Sequence, residues 1–565
     1  MIKLIPQPKL LEEKGRYIKY DTVNVNLQNT DERIKRVLEK LPHSSDGIEV
    51  EIIAGTGKIE SYILDISEEK ITIKSDGLAG AFYGIQTLRQ IFQSSKIPCL
   101  HIEDCPDFKH RGVYHDITRG KIPKLETLKK LIDELAYYKI NSFQIYVEHC
   151  FKFKEYEDSV ENTGHITADE IRELDRYCTE NFIEFIPSLS TFGHLYELLQ
   201  KDRYKHLRVL ENYEQEHIFW RERMAHHTID PLNPESFEII KSLIDQFLPL
   251  FSSDKFNICC DETFDLKCGK YKDRDTGRIY IDFVGKIVDY IKSKGKKVMM
   301  WGDILLEHPE YIDLLDKDVI LLNWDYDAEP KKEKIERLNQ LNRTQIVCPG
   351  TSGWFSLCEY LKQSVPNITN MVRYAYEHGA EGILNTNWGD YGNPCSIELE
   401  MYSLTYGAEK SWNVNSKTEE FEQKADTLVY KKHGASEYLK RISNLHHKTN
   451  WREFVHCYSN KLFEDQIRVD LPDENDILYV QKECEKIIDE LKNQTWKNDE
   501  FRIEMLIATE GTQVLAELYA KHLDFDIKRI TDTQKWLKKF SVQWKKKNKD
   551  YELCEIEKMF EIMDK

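Results

Sequence analysis

Residues 112–147 read GVYHDITRGKIPKLETLKKLIDELAYYKINSFQIYV. A short apolar run, 112–117, is followed by Leu128, Leu131, Ile132, Leu135 and Ala136, which recur at the helical i, i+3, i+4, i+7, i+8 spacing, and then by a second apolar run, 142–147. Strand, amphipathic helix and strand within 36 residues make one βαβ unit. The same rhythm continues downstream. Apolar runs recur at 183–189 (IEFIPSL), 256–261 (FNICCD), 297–303 (KVMMWGD), 319–325 (VILLNWD), 345–350 (QIVCPG) and 382–388 (GILNTNW), mostly separated by helical stretches. One intervening helix opens on a capping box, Thr167-x-x-Glu170, and another on Asn233-Pro234, an N-cap followed by proline at the first helical position. Eight buried strands alternating with helices over residues 106–415 predict an α/β fold, a (β/α)8 TIM barrel. A doubly wound open sheet is the alternative, because strand count alone does not close a barrel.

The flanks read differently. Residues 1–105 form an expected small α+β domain: alternating runs at 47–54, 60–66 and 70–75, a helix-length segment from Leu78, and a return to strand at Ile97. Residues 416–565 carry no strand signal, and runs such as 476–493 and 500–523 are helical by period, so a C-terminal helical domain is expected. The basic run from Lys545 to Lys549 reads most simply as a solvated surface.

Composition narrows the function classes. The 565-residue chain is 41% hydrophobic and 32% charged, with a formal net charge of −18 that makes nucleic acid a poor partner. No segment approaches the roughly 18 uncharged apolar residues needed to cross a bilayer, so no membrane association is expected. The N-terminal residues show no apolar stretch followed by a small-residue cleavage site. Thirteen cysteines, an odd number with no C-x-x-C pair, argue against a disulfide framework. A cytoplasmic location is the expectation on both counts. Ten tryptophans and 30 tyrosines suit either core filling or stacking on sugar rings.

In a TIM barrel the active site lies at the C-terminal ends of the strands. The first run ends in Asp116, with Arg119 beyond it and Arg111 at its start. The third leads to His194, the fourth ends Asp261-Glu262, the fifth Trp301-Gly-Asp303, and the sixth Trp324-Asp325. The seventh leads to Trp354 and the eighth ends Trp388-Gly-Asp390. Carboxylates among indoles suit a neutral, hydroxyl-rich ligand: the acids accept hydrogen bonds from hydroxyls, and the indoles cover the C–H face of a sugar ring. Adjacent acids also supply what glycoside cleavage needs, a carboxyl able to hold a proton. Successive strand residues point to opposite faces, so both acids reach one pocket only if the chain curls as the strand ends. Alone, an Asp-Glu pair, a histidine or an Asp116–Arg119 pair has an ordinary structural reading. The clustering at strand ends is what separates them from it.

The chain resembles family 20 glycoside hydrolases, the β-N-acetylhexosaminidases. The likeness runs through the segment from Leu78 to Phe92, the Arg111-Gly-x-x-x-Asp116-x-x-Arg119 pattern, Gly193-His194, the stretch 229–235, and Cys260-Asp261-Glu262, where cysteines stand in place of the usual glycines. The resemblance implies a retaining, substrate-assisted exo-hydrolase without cofactor or metal, acting on a glycan ending in GlcNAc or GalNAc. Glu262 would be the acid/base, Asp261 the holder of the acetamido N–H, and His194 the partner that tunes Glu262. Arg111 would bind hydroxyls, Trp301, Trp324 and Trp388 would wall the acetamido pocket, and Asp390 would take the O4/O6 end. Asp116 and Trp354 join the substrate-binding set. Where the family's second strand ends His-x-x-Asp-Asp, this chain reads Tyr146-Val-Glu148-His149-Cys150, and Glu148 is expected to stand in. Where the family places a tyrosine after strand seven, Trp354 stands, and the next tyrosine is Tyr360. A related barrel glycosidase releasing a disaccharide or a modified hexosamine, an inactive carbohydrate-binding protein and a metal-dependent hydrolase are the alternatives. A homo-oligomer is compatible with all of them.

Overall fold

The computed structural model describes residues 2–25, 27–28, 30–159, 164–211, 220–225, 227–460 and 471–565. Its centre is a closed barrel of eight parallel strands: β7 (His110–Asp116), β8 (Ser142–Val147), β9 (Glu184–Leu189), β10 (Lys255–Asn257), β11 (Lys297–Trp301), β12 (Ile320–Trp324), β13 (Gln345–Cys348) and β14 (Gly382–Asn387). They are hydrogen-bonded in chain order, and β14 closes on β7 with six aligned pairs from Gly382–His110 to Asn387–His115. Closure decides against the open sheet. The expected caps form: Thr167 and Glu170 make a reciprocal capping box, and Asn233 caps a helix with Pro234 in its first turn.

The barrel's strands are buried on both faces, and their alternation sorts the side chains. Val113, Phe143, Val298 and Leu321 face the surrounding helices. Tyr114, Tyr146, Cys259, Met299, Trp301, Leu322, Cys348, Leu384 and Trp388 form a separate cluster filling the lumen. The two-residue step that puts Tyr114 inside also puts Asp116 inside, as Tyr146 does for Glu148 and Met299 for Trp301. The strand-end residues of the sequence reading thus share the inward parity of the core residues below them.

The N-terminal domain is a six-stranded mixed sheet. The strands β1 (Leu10–Tyr17), β2 (Val23–Val25), β3 (Ile48–Ile53), β4 (Tyr62–Ile66), β5 (Lys70–Lys74) and β6 (Pro98–Asp104) lie in the order β1-β6-β4-β5-β3-β2. A buried helix, Leu78–Ile91, packs on it. Its edge strand β1 shows almost no apolar alternation, with only Leu11 partly covered, which is why the sequence does not announce it.

Helices Thr418–Leu428, Ala435–Leu445, Trp451–Asn460, Glu474–Lys492, Asp499–His522, Thr533–Lys547 and Leu553–Met563 make the C-terminal region. The basic run there is solvated only in part: Lys545 and Lys546 are exposed, but Lys547 and Lys549 are not. Lys547 reaches Glu398, Glu500 and Glu504 with its side chain only 11% exposed, and Lys549 pairs with Glu170. Tertiary packing has supplied the carboxylates that sequence neighbours lack. No described helix is long and apolar enough to cross a membrane. None of the thirteen cysteines is in a disulfide.

Candidate active site

The curl required at the end of strand four is present. Beyond β10, Cys259 (φ 58°), Cys260 (φ 63°) and Glu262 (φ 47°) all adopt left-handed backbone conformations. Residues with a Cβ pay for this, about 1–2 kcal/mol each. The turn is pinned by Cys259 N donating to Asn257 Oδ1 (3.0 Å), Tyr280 OH donating to the Cys260 carbonyl (2.7 Å) and Thr191 Oγ1 donating to the Ile258 carbonyl (2.6 Å). Asp261 and Glu262 consequently converge. His194 Nε2 lies 3.5 Å from Asp261 Oδ2 and 3.4 Å from Glu262 Oε2. Gly193 makes this approach possible: a Cβ there would sit 2.6 Å from the Asp261 carbonyl oxygen.

His194 is buried, and burial alone would drive its proton off. Asp261 and Glu262 outweigh that and carry it up to about 10, so an imidazolium stands against the acid pair at neutral pH. The donors of His194, Asp261 and Glu262 lie within 4.8 Å of one another, a spacing a cation would also accept.

A third acid sits below them. Asp303 Oδ2 accepts the Glu262 backbone N–H (3.1 Å). Burial and the neighbouring Asp261 push its carboxyl well above the usual range, which favours the protonated form of Asp303. The sequence placed Asp303 at a strand end but gave it no role.

Two of the sequence-assigned binding residues are taken up by the fold itself. Arg111 is fully buried at the N-terminal end of β7, at the seam with the small domain. Its guanidinium bonds to Glu60 Oε1 (2.9 Å), Tyr83 OH (3.0 Å) and the Phe108 carbonyl (2.8 Å). A strand's two ends face opposite mouths of the barrel, so Arg111 cannot reach the acids. Asp116 faces inward but offers nothing to a ligand. Its oxygens accept the backbone N–H of Thr118 (2.8 Å), Arg119 (3.1 Å) and Gly389 (3.1 Å), tying the loops after β7 and β14 together. Burial lifts its carboxyl to about 7 against the pull of Arg119.

The cation at the site is Arg119. It spans from Asp390 Oδ1 (2.6 Å) to Glu148 Oε1 (3.3 Å) and lies over the rings of Tyr146 and Trp388 at 5.0 and 5.3 Å. Glu148 accepts from Tyr146 OH (2.9 Å). Burial disfavours its charge, yet His149, Arg119 and His194 together hold it down at about 2.

Trp301 and Trp388 pack 5.6 Å apart above Tyr114. Trp301 Nε1 is buried with no acceptor among the described residues, a donor left for a ligand. Trp324 stacks on Tyr326 (5.3 Å, 14°), and Trp354 meets the same ring edge-on at 5.2 Å. Tyr326, whose hydroxyl accepts from Trp388 Nε1 (2.7 Å), is an aromatic the sequence reading passed over. It lies two residues past Trp324, and that parity was its only signal.

The C-terminal helices complete this mouth of the barrel. Glu552 Oε2 accepts the N–H of Gly120 (2.8 Å), directly after Arg119, and Trp220 Nε1 (2.7 Å), and its other oxygen pairs with Arg223. Tyr551 OH meets His149 Nε2, and Trp451 Nε1 donates to the Tyr391 carbonyl (2.9 Å).

Residues 108–379 match the model of the glycosyl hydrolase family 20 catalytic domain, and residues 1–105 match that family's domain 2. The chain belongs to glycoside hydrolase family 20. It is 25% identical over 359 residues to a beta-hexosaminidase of Porphyromonas gingivalis, a match covering 54% of this chain and 46% of that protein. It is 24% identical to a lacto-N-biosidase of Bifidobacterium bifidum, covering 64% and 32% respectively. The chain thus spans less than half the length of either relative. Among solved structures, a Flavobacterium johnsoniae chitobiase superposes with a TM-score of 0.64 at 19% identity, over 96% of this chain and 98% of that one. That span takes in the C-terminal helices as well as the barrel.

Proposed function

We propose that the protein is a retaining exo-β-N-acetylhexosaminidase that removes terminal GlcNAc or GalNAc from glycans, with the sugar's own acetamido group as nucleophile. The observation that carries this reading is the convergence of Asp261 and Glu262 on His194 beside the Trp301–Trp388 wall. The acetamido oxygen attacks the anomeric carbon as the glycosidic C–O bond breaks. Glu262, the more exposed acid, passes its proton to the leaving oxygen. Asp261 accepts the acetamido N–H and offsets the charge of the oxazolinium. Water then adds to the anomeric carbon, returns a proton to Glu262 and reopens the ring. Two inversions give net retention. In this reading Arg119 and Asp390 take ring hydroxyls, and the Tyr326 hydroxyl, which accepts from Trp388 Nε1, serves the acetamido group. The unpaired thiols support a reducing, cytoplasmic setting.

The test is a panel of 4-nitrophenyl glycosides. We expect cleavage of the β-GlcNAc or β-GalNAc substrate, none of the β-glucoside, and inhibition by a thiazoline mimic of the intermediate. Glu262→Gln should spare activated leaving groups far more than poor ones, and Asp261→Asn should be severely impaired on all. Release of an intact disaccharide from a β-lacto-N-bioside would instead support the biosidase reading, and equal rates on glucoside and acetamido substrates would remove acetamido participation.

A further inference from the structure

We propose that the cavity onto which Glu262 opens is a leaving-group subsite that favours sugars bearing an anion; this rests on the hexosaminidase reading. Glu262 opens onto a cavity of about 790 Å3. A group protonated by Glu262 departs through that space, so its remaining walls are what the leaving sugar touches.

Those walls combine apolar faces with unpaired charge. Phe264, two residues past Glu262, is 42% exposed, which is unusual for a large aromatic beside an acid and natural for a stacking face. Trp324 forms a second aromatic wall. The far wall is the helix Glu333–Gln340, which presents Lys334 and Arg337. Lys334 lies 5.3 Å above the Trp324 ring, and neither cation has an ion-pair partner among the described residues. Four carboxyls line the same cavity: Glu262, Asp303, Glu307 and Glu333. Glu307 is neutralised by Lys267, Glu262 is the general acid itself and Asp303 is tied to the Glu262 backbone N–H, so Glu333 is the carboxylate that faces the two cations. In a chain of net charge −18, two cations without ion-pair partners among the described residues, beside the general acid, mark a local preference. A carboxylate or sulfate on the ring stacked at Phe264 would find those cations, and Arg337 offers a bidentate fork.

The experiment measures kcat/KM of the full-length protein on two disaccharides, GlcNAc-β-1,4-glucuronic acid and GlcNAc-β-1,4-GlcNAc, with 4-nitrophenyl β-GlcNAc as the reference. In the Lys334→Gln/Arg337→Gln double variant, the acidic-to-neutral ratio should fall about tenfold, the order of one lost charge-assisted contact. In the wild type that ratio should shrink as salt rises. Phe264→Ala should lower both disaccharides alike. A ratio unmoved by the double substitution and by salt overturns the subsite while leaving the hexosaminidase reading intact. Failure to cleave 4-nitrophenyl β-GlcNAc overturns that reading itself.

Discussion

Arg119 Nη1 lies 2.6 Å from Asp390 Oδ1, joining the ends of the first and last barrel strands across 271 residues of chain. The pair closes one side of the catalytic mouth, and it sits where the sequence reading had wanted Arg111. The two arginines therefore make opposite predictions. Arg119→Ala should lower kcat/KM by about 100-fold, as expected when a group making two ligand contacts of ~1.5 kcal/mol is removed. Arg111→Ala strands Glu60 and should instead cost about 3 kcal/mol of stability, with little change in KM for whatever fraction stays folded. Steady-state kinetics with thermal melts separates them. A selective KM defect in the Arg111 variant would restore it to the site.

Asp303 provides a pH test. Its folded carboxyl is raised far above the value it has in the unfolded chain, chiefly by burial and by Asp261. Between the unfolded and folded values, the unfolded chain releases a proton that the native state retains, so this group lowers stability as pH rises through that window. Asp303→Asn keeps an oxygen for the Glu262 N–H and removes the titration. The melting temperature of the variant should gain on the wild type steadily from about pH 5 to pH 8, the window set by that shift. A difference independent of pH would mean that Asp303 is ionised throughout.

Glu552 tests whether the helical region serves the chemistry. Its carboxylate gathers Gly120, Trp220 and Arg223, and so holds the loop that carries Arg119. Glu552→Ala should raise KM several-fold and cost about 2 kcal/mol of stability, because three donors lose a charged acceptor. Glu552→Gln should recover KM in part, keeping acceptors for Gly120 and Trp220. If melting temperature falls while KM holds, Glu552 supports the fold alone.

Cys260 tests the curl. At φ 63° a side chain is strained, yet its sulfur is buried against Thr191 Oγ1 at 3.3 Å. Cys260→Gly and Cys260→Ala both delete that contact, and only glycine relieves the backbone. The glycine variant should be the more stable of the two by about 1 kcal/mol in denaturant titration. Equal stabilities would show that this backbone carries no strain.

What could be read from the residues alone follows from local periodicity. Strand runs with helices between them announced the barrel, and the acids and indoles at the run ends announced its working mouth, because alternation of side chains carries a core residue's direction two positions onward. Thr167 and Asn233 signalled their helices through contacts only two or three residues long. The remaining features depend on distance in space. Nothing near Arg111 in the chain says that Glu60 and Tyr83 will claim it, and nothing near Glu552 points to Gly120, 432 residues away. Which strand end a side chain faces, which acid keeps its proton once buried, and which lysines of the 545–549 run are paired are set by neighbours that only folding assembles. Periodicity in the chain was enough for the alternation of strands and helices and for the strand-end position of Asp261 and Glu262, while barrel closure, charge pairing and burial are properties of three-dimensional proximity that only the folded chain decides.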